Sequence, residues 1–111
     1  MVSKRLAILG ASGHGKVTAE MALCNGWDSV DFYDDAFPDK ATMDGFSIQG
    51  GLNSLLEKSH VYNGFHVAIG CNRTRQKILK QLIDLDLPCP NIIASSAVVS
   101  QSALLGKGIS I

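Results

Sequence analysis

The sequence predicts an α/β fold: a parallel sheet with flanking helices, running into the first coil of a parallel β-helix. Three features predict it. Short apolar runs alternate with helix-like stretches, which implies parallel strands joined by right-handed crossovers. The first run opens directly into a glycine-rich loop, Gly10-Ala11-Ser12-Gly13-His14-Gly15-Lys16. After Ile93 the apolar spacing changes to six residues, which fits neither a helix nor a strand.

Taken in order, Arg5 to Leu9 reads as a buried strand ended by glycine. A helix is expected over Val17–Asn25, with Val17, Met21 and Cys24 on one face at i, i+4, i+7 and Gly26 as its stop. Ser29 to Asp34 is the second strand, running into Asp34-Asp35. The polar stretch 36–44, with Pro38, reads as a loop. Phe46-Ser47-Ile48 is a short extended piece closed by Gly50-Gly51. Leu52 to Lys58 is a short helix with Leu52, Leu55 and Leu56 facing in. His66 to Ile69 is another buried strand, closed by Gly70. Asn72 is a good N-cap for a helix to about Asp84, whose inner face is Ile78, Leu79, Leu82 and Ile83. Leu87-Pro88-Cys89-Pro90 breaks the chain, and Asn91 to Ile93 is a last strand.

Beyond that strand, Ile93, Val99, Leu105 and Ile111 recur every six residues, with Ala97, Ala103 and Ile109 as a second series. This is the hexapeptide spacing of a parallel β-helix, in which one aliphatic residue per short strand points into the coil. The expected division is therefore 1–93 for the sheet domain and 94–111 for the start of a second domain. One coil cannot bury its own core, so further coils are expected beyond Ile111.

Composition removes several classes of function. Among 111 residues, ten basic and ten acidic side chains cancel, which argues against nucleic acid or an anionic membrane as main partner. No apolar run approaches the roughly 20 residues of a membrane span, and the N-terminus lacks the pattern of a signal peptide. Cys24, Cys71 and Cys89 are odd in number and widely spaced, which suits reduced thiols in a cytoplasmic protein better than a disulfide or zinc framework. No metal site is expected.

In parallel α/β sheets ligands bind beyond the carboxyl ends of the strands. Three such ends carry polar or glycine-bearing segments here: the loop after the first strand, Asp34-Asp35 after the second, and Gly70-Cys71-Asn72-Arg73 after His66–Ile69. The glycine loop suits a phosphate, because glycines admit the ligand and a helix N-terminus offers N–H groups. Gly10, Gly15 and Lys16 match a nucleotide-hydrolase phosphate loop, but the next residue is Val17, where Ser or Thr would hold magnesium. Thr18 stands one place late. The spacing G-x-x-G-x-G also differs from the strict dinucleotide pattern, although it belongs to Rossmann-like sites and Asp34 lies where an acid would meet a ribose. A nucleophile elbow is excluded, since His14 and not glycine stands two places after Ser12.

The candidate ligand residues are Gly10, Ser12, Gly13, His14, Gly15, Lys16, Asp34, Asp35, Gly70, Cys71, Asn72 and Arg73. His14 can donate to a phosphate or a sugar hydroxyl from within the loop, or stand solvated. Lys16 can neutralise phosphate charge or lie on the surface. Asp34 and Asp35 can accept from a base or ribose, or simply form a turn. Asn72 can cap its helix and Arg73 can be a surface charge. His60 and His66 have no recognisable partners and read as structural or exposed. No residue of the chain is assigned as catalytic.

In this order, the glycine loop, Asp34-Asp35, Ala68-Ile69-Gly70-Cys71-Asn72-Arg73 and Ser96-Ala97-Val98-Val99-Ser100 resemble the N-terminal part of bacterial sugar O- and N-acetyltransferases of the sialic-acid O-acetyltransferase (NeuD/PglD-like) type. The resemblance covers essentially the whole chain. It implies a Rossmann-like domain that binds a UDP-sugar. It further implies a left-handed β-helix that forms a homotrimer, binds acetyl-CoA and supplies a catalytic histidine lying beyond this chain. Two departures stand out: Ala94-Ser95-Ser96-Ala97 replaces a frequent His-Pro-Ser-Ala, and Cys71 stands where relatives often carry an acid. Two other readings stay open at this point, a nicotinamide-dependent reductase domain and a non-catalytic nucleotide-sensing module.

Overall fold

The computed structural model describes residues 4–43 and 45–90. Strand β1 (Arg5–Leu9) is the centre of a parallel sheet and is flanked by β2 (Ser29–Tyr33) and β5 (Gly64–Val67). Leu6 stands opposite Val30 on one side and Gly64 on the other, and Leu9 opposite Tyr33 and Val67. Helix α1 (Gly13–Cys24) connects β1 to β2. Helices α2 (Leu52–Glu57) and α3 (Asn72–Asp84) lie before and after β5. The expected parallel α/β sheet with flanking helices is therefore present.

Both faces of β1 are buried, as a central parallel strand requires. Leu6 and Ile8 pack with Phe32, Ala19, Ala22 and Ile48 on the α1 face. Ala7 and Leu9 pack with Tyr33, Phe65, Val67, Leu55, Ile78 and Leu82 on the other. The inner faces expected of α2 and α3 hold: Leu55, Ile78 and Leu82 are buried, and Leu52, Leu56, Leu79 and Ile83 pack partly against them.

Helix α1 differs from expectation in its start and in its face. It begins at Gly13, four residues before Val17, so half of the predicted glycine loop is its first turn. Its buried residues are Gly15, Thr18, Ala19 and Ala22, whereas Val17 is 54% exposed and Cys24 is exposed. The reason is proximity. A Cβ on Gly15 would lie 2.3 Å from the Gly10 carbonyl oxygen, so the helix meets the sheet on its smallest side chains. Thr18 fits because its hydroxyl donates to the His14 carbonyl at 3.0 Å. The helix ends as expected at Gly26 (φ 95°), where the Trp27 N–H donates to the Ala22 carbonyl at 3.2 Å.

Other boundaries shift modestly. The predicted loop 36–44 contains a two-residue strand, β3 (Thr42–Met43), paired antiparallel with β4 (Phe46–Ser47). Residues 48–50 then run along the free edge of β2: Ile48 bridges Phe32, the Gln49 N–H donates to the Phe32 carbonyl at 2.8 Å, and the Asp34 N–H donates to the Gly50 carbonyl at 2.8 Å. Strand β5 starts two residues earlier than predicted, at Gly64. Helix α3 has Cys71, not Asn72, at its N-cap, and it closes through Asp86 (φ 58°), where the Leu87 N–H donates to the Leu82 carbonyl at 3.0 Å. The expected strand Asn91–Ile93 and the hexapeptide coil 94–111 lie outside the described residues.

Candidate functional site

Because β1, β2 and β5 are parallel, their carboxyl ends meet on one edge. Gly10 sits at the centre of that edge with φ 115°. Its N–H donates to the Tyr33 carbonyl at 2.8 Å, while the Ala68 N–H donates to the Leu9 carbonyl at 2.8 Å. A Cβ on Gly10 would lie 2.4 Å from the Ala68 carbonyl oxygen. The glycine is needed here both for its left-handed backbone and for this close approach.

The next residue is held from both sides. The Ala11 N–H donates to Asp34 Oδ2 at 2.9 Å, and Lys40 Nζ donates to the Ala11 carbonyl at 2.6 Å. Asp34 Oδ1 accepts the Ala36 N–H at 2.9 Å, forming a turn on itself. Both Asp34 oxygens are thus engaged by backbone N–H groups. Asp35 Oδ1 accepts the Leu52 N–H at 3.1 Å and so holds the start of α2. The acidic pair acts first on the scaffold: the turn that the sequence left open beside a ligand role is present at Asp34, while the ties to Ala11 and Leu52 were not legible.

Ser12 precedes α1 in extended conformation, with its hydroxyl 3.5 Å from the Ala68 carbonyl. Gly13 and His14 form the exposed start of α1. The helix offers no acceptor to the N–H groups of its first turn, and no acidic side chain stands there. Around Gly13 and Gly70, apart from the adjoining residues and the backbone of α1 itself, no atom of the described residues lies within 4 Å of where a Cβ would be, so the backbone there is open to approach. Lys16 lies further along α1, 4.0 Å from Glu20, and both side chains are substantially exposed.

At the third strand end, hydrogen bonds from the Thr74 backbone and hydroxyl and from the Arg73 backbone hold the exposed Cys71 thiol below its ordinary range. Asn72 Oδ1 accepts from Arg75 Nη2 at 2.7 Å. His66, on the α1 side of β5, is buried, and its ring lies 6.4 Å from that of His14. Among the described residues its Nδ1 has no hydrogen-bond partner. Burial, then the nearby His14 and Arg75, pushes His66 down to about 4, so it is neutral at pH 7.

A cleft of about 270 Å³ opens at this edge, lined by Leu9, Gly10, Asp34, Asp35, Ile69, Thr74 and Ile78. The structure thus brings Gly10, Asp34 and Asp35 together in one cleft. It leaves Ser12, Gly13, His14, Gly15 and Lys16 on the α1 side, and Gly70, Cys71, Asn72 and Arg73 at the start of α3, outside the cleft lining. Lys40 and Thr74 were not legible as site residues. Lys40 sits in a polar stretch with no motif, and Thr74 differs from any surface helix residue only through its place beside the cleft.

Among the described residues no group of His, Cys, Asp or Glu side chains could hold a metal ion, and no helix is long and apolar enough to cross a membrane. Comparison with known proteins places this arrangement. A profile of the PglD N-terminal domain matches residues 5–82. The acetyltransferase domain of PglB from Neisseria gonorrhoeae, solved with acetyl coenzyme A, is 34% identical with a TM-score of 0.86, covering 97% of this chain and 52% of that one. A mutant of perosamine N-acetyltransferase from Caulobacter crescentus, solved with CoA and GDP-perosamine, is 32% identical with a TM-score of 0.84, covering 100% and 52%. UDP-D-quinovosamine 4-dehydrogenase from Vibrio fischeri is 22% identical with a TM-score of 0.56 and shares the fold. The chain spans about half the length of the two acetyltransferases. The chain belongs to the PglD N-terminal domain family.

Proposed function

We propose that this chain is the nucleotide-sugar-binding part of an acetyl-CoA-dependent sugar acetyltransferase of bacterial glycan biosynthesis, and that its preferred substrate is a UDP-sugar. The observation that carries the reading is the anchored loop. Gly10 is wedged between β2 and β5, Ala11 is held by Asp34 and Lys40, and the α1 start that follows exposes Gly13 and His14 and has no acid in its first turn. Such a turn suits a diphosphate. The cleft beside it, with Asp34, Asp35 and Thr74 among apolar Leu9, Ile69 and Ile78, suits a base and ribose. Gly13, His14, Gly15 and Lys16 on one side, and Gly70, Cys71, Asn72 and Arg73 on the other, border the ligand's path.

The relatives support the class of reaction, and the GDP-perosamine complex of one of them makes a nucleotide sugar the natural probe. In the whole protein, acetyl-CoA belongs to a β-helix that begins in residues 94–111; a histidine of that domain takes the proton from the sugar amine or hydroxyl as that group attacks the thioester carbonyl, and the C–S bond then breaks, releasing CoA as the thiol with the proton returned to its sulfur. The sheet domain, residues 1–93, binds and positions. On this reading the 111-residue chain turns over no acetyl-CoA, the complete protein is a homotrimer, and it works in the cytoplasm.

Calorimetric titration of the chain with UDP-sugars, GDP-sugars, NAD(H) and NADP(H) tests the reading. Binding of UDP-sugars with weaker binding of GDP-sugars is expected. Tight nicotinamide-cofactor binding with no affinity for any nucleotide sugar would overturn it.

A further inference from the structure

We infer that Lys40 is a positioning residue for the nucleotide-sugar site, fixing the glycine loop through the Ala11 carbonyl. The inference rests on the proposed nucleotide-sugar reading and adds a residue that neither the loop motif nor the acidic pair identifies.

The geometry is specific. Lys40 Nζ donates to the Ala11 carbonyl at 2.6 Å, a short bond of the charge-assisted kind. The other side of the same residue, the Ala11 N–H, is held by Asp34 Oδ2 at 2.9 Å. Ala11 is buried, so its two polar groups depend on these partners. Both partners come from one excursion of the chain, which is itself braced. The Phe37 N–H donates to the Asp34 carbonyl at 3.0 Å, the Lys40 N–H to the Ala36 carbonyl at 3.0 Å, and the Ile48 N–H to the Ala41 carbonyl at 2.9 Å. Residues 34–40 therefore act as a bracket around Ala11, two residues ahead of the exposed start of α1.

Charge points the same way. Asp34 and Asp35 place two carboxylates at the edge where an anionic ligand would dock. Lys40 brings a cation into direct contact with the loop on that edge, whereas Lys16, the lysine of the motif, is 4.0 Å from Glu20. Removing the Lys40 ammonium would release the Ala11 carbonyl and take a cation away from this edge. Both changes weigh most on the diphosphate.

The test compares the unsubstituted chain with Lys40→Met, which keeps much of the stem, and with Lys40→Arg, which keeps the charge. Amide hydrogen exchange is followed by NMR without ligand, and binding of UDP and of uridine by calorimetry. In Lys40→Met, exchange at Ala11 should rise roughly tenfold while Ile78 and Leu82 keep their protection, since the change is local. UDP should bind roughly tenfold more weakly and uridine should lose less, the difference reflecting the charged phosphates. Lys40→Arg should recover most of the UDP affinity. Unchanged exchange at Ala11, acceleration shared equally by Ile78 and Leu82, or UDP affinity equal to that of the unsubstituted chain would each overturn the inference. Failure of the unsubstituted chain to bind any nucleotide or nucleotide sugar would instead defeat the functional reading, and the exchange comparison would still decide whether Lys40 fixes the loop.

Discussion

Asp34 accepts the N–H of Ala11 at 2.9 Å, tying the end of β2 to the loop that follows β1. This bond and the Ala36 N–H bond at 2.9 Å use both carboxylate oxygens on backbone donors. Asp34→Ala would remove both acceptors. A loss of about 1–3 kcal/mol in stability is expected, together with weaker UDP-sugar binding. Urea denaturation and calorimetric titration on the same variant check the two effects. Retained stability with lost binding would mean that Asp34 acts on the ligand rather than on the loop.

The glycines of the loop are not equivalent. Gly10→Ala places a Cβ 2.4 Å from the Ala68 carbonyl oxygen at a φ of 115°, and Gly15→Ala places one 2.3 Å from the Gly10 carbonyl oxygen. Each should destabilise by about 2 kcal/mol or more, because backbone must move. Gly13→Ala, apart from the adjoining residues and the backbone of α1 itself, meets no atom of the described residues within 4 Å and lies in α1, so it should leave stability unchanged or slightly raised. Thermal unfolding of the three variants checks the order.

His14 is exposed at the start of α1 and carries none of the core. His14→Ala should weaken UDP-sugar binding by several-fold, the scale of one lost hydrogen bond, with an unchanged melting temperature. Equal affinity in the variant would show that the side chain does not meet the ligand.

His66 gives a pH signature. Its value near 4 in the folded protein, against 6.5 as the ordinary value, means that the unfolded chain binds the extra proton between these limits. Stability from this group is therefore full above about pH 6.5 and falls as pH drops towards 4, by up to about 3 kcal/mol. The slope of unfolding free energy against pH should flatten over this window in His66→Leu. An identical slope in both proteins would mean that His66 takes up its proton in the native state at its ordinary value.

Cys71 is exposed and its thiol is held below its ordinary range by hydrogen bonds at the start of α3, whereas Cys24 is exposed and Cys89 is buried. Alkylation by iodoacetamide at pH 7 should therefore label Cys71 first and Cys89 last. Peptide mass spectrometry over a time course gives the order. Faster labelling of Cys24 would contradict it.

Much of this was legible in the sequence, for physical reasons that can be named. Leu6-Ala7-Ile8-Leu9 is apolar throughout because a central parallel strand is covered on both faces, and Ile78 and Leu82 face in because a 3.6-residue period leaves no other choice. The glycines and acids at the strand ends marked the ligand edge because parallel strands bring those ends together. The face of α1 was read only in part: Met21 packs partly against the core, but Val17 and Cys24 are exposed. Val17 and Cys24 are more apolar than Gly15 and Thr18, but periodicity ranks hydrophobicity and cannot register that the Gly10 carbonyl leaves no space for a side chain.

By itself, the sequence determined the parallel sheet, the order of its elements and the edge on which a ligand would lie, since these follow from local pattern and chain direction. Only the tertiary structure decided what the polar residues of that edge do. Asp34 and Lys40 close on Ala11 from 23 and 29 residues away, Asp35 holds the start of α2, and His66 sits neutral beneath His14's helix turn. Those roles depend on distances between atoms far apart in the chain, and a one-dimensional pattern carries no such distances.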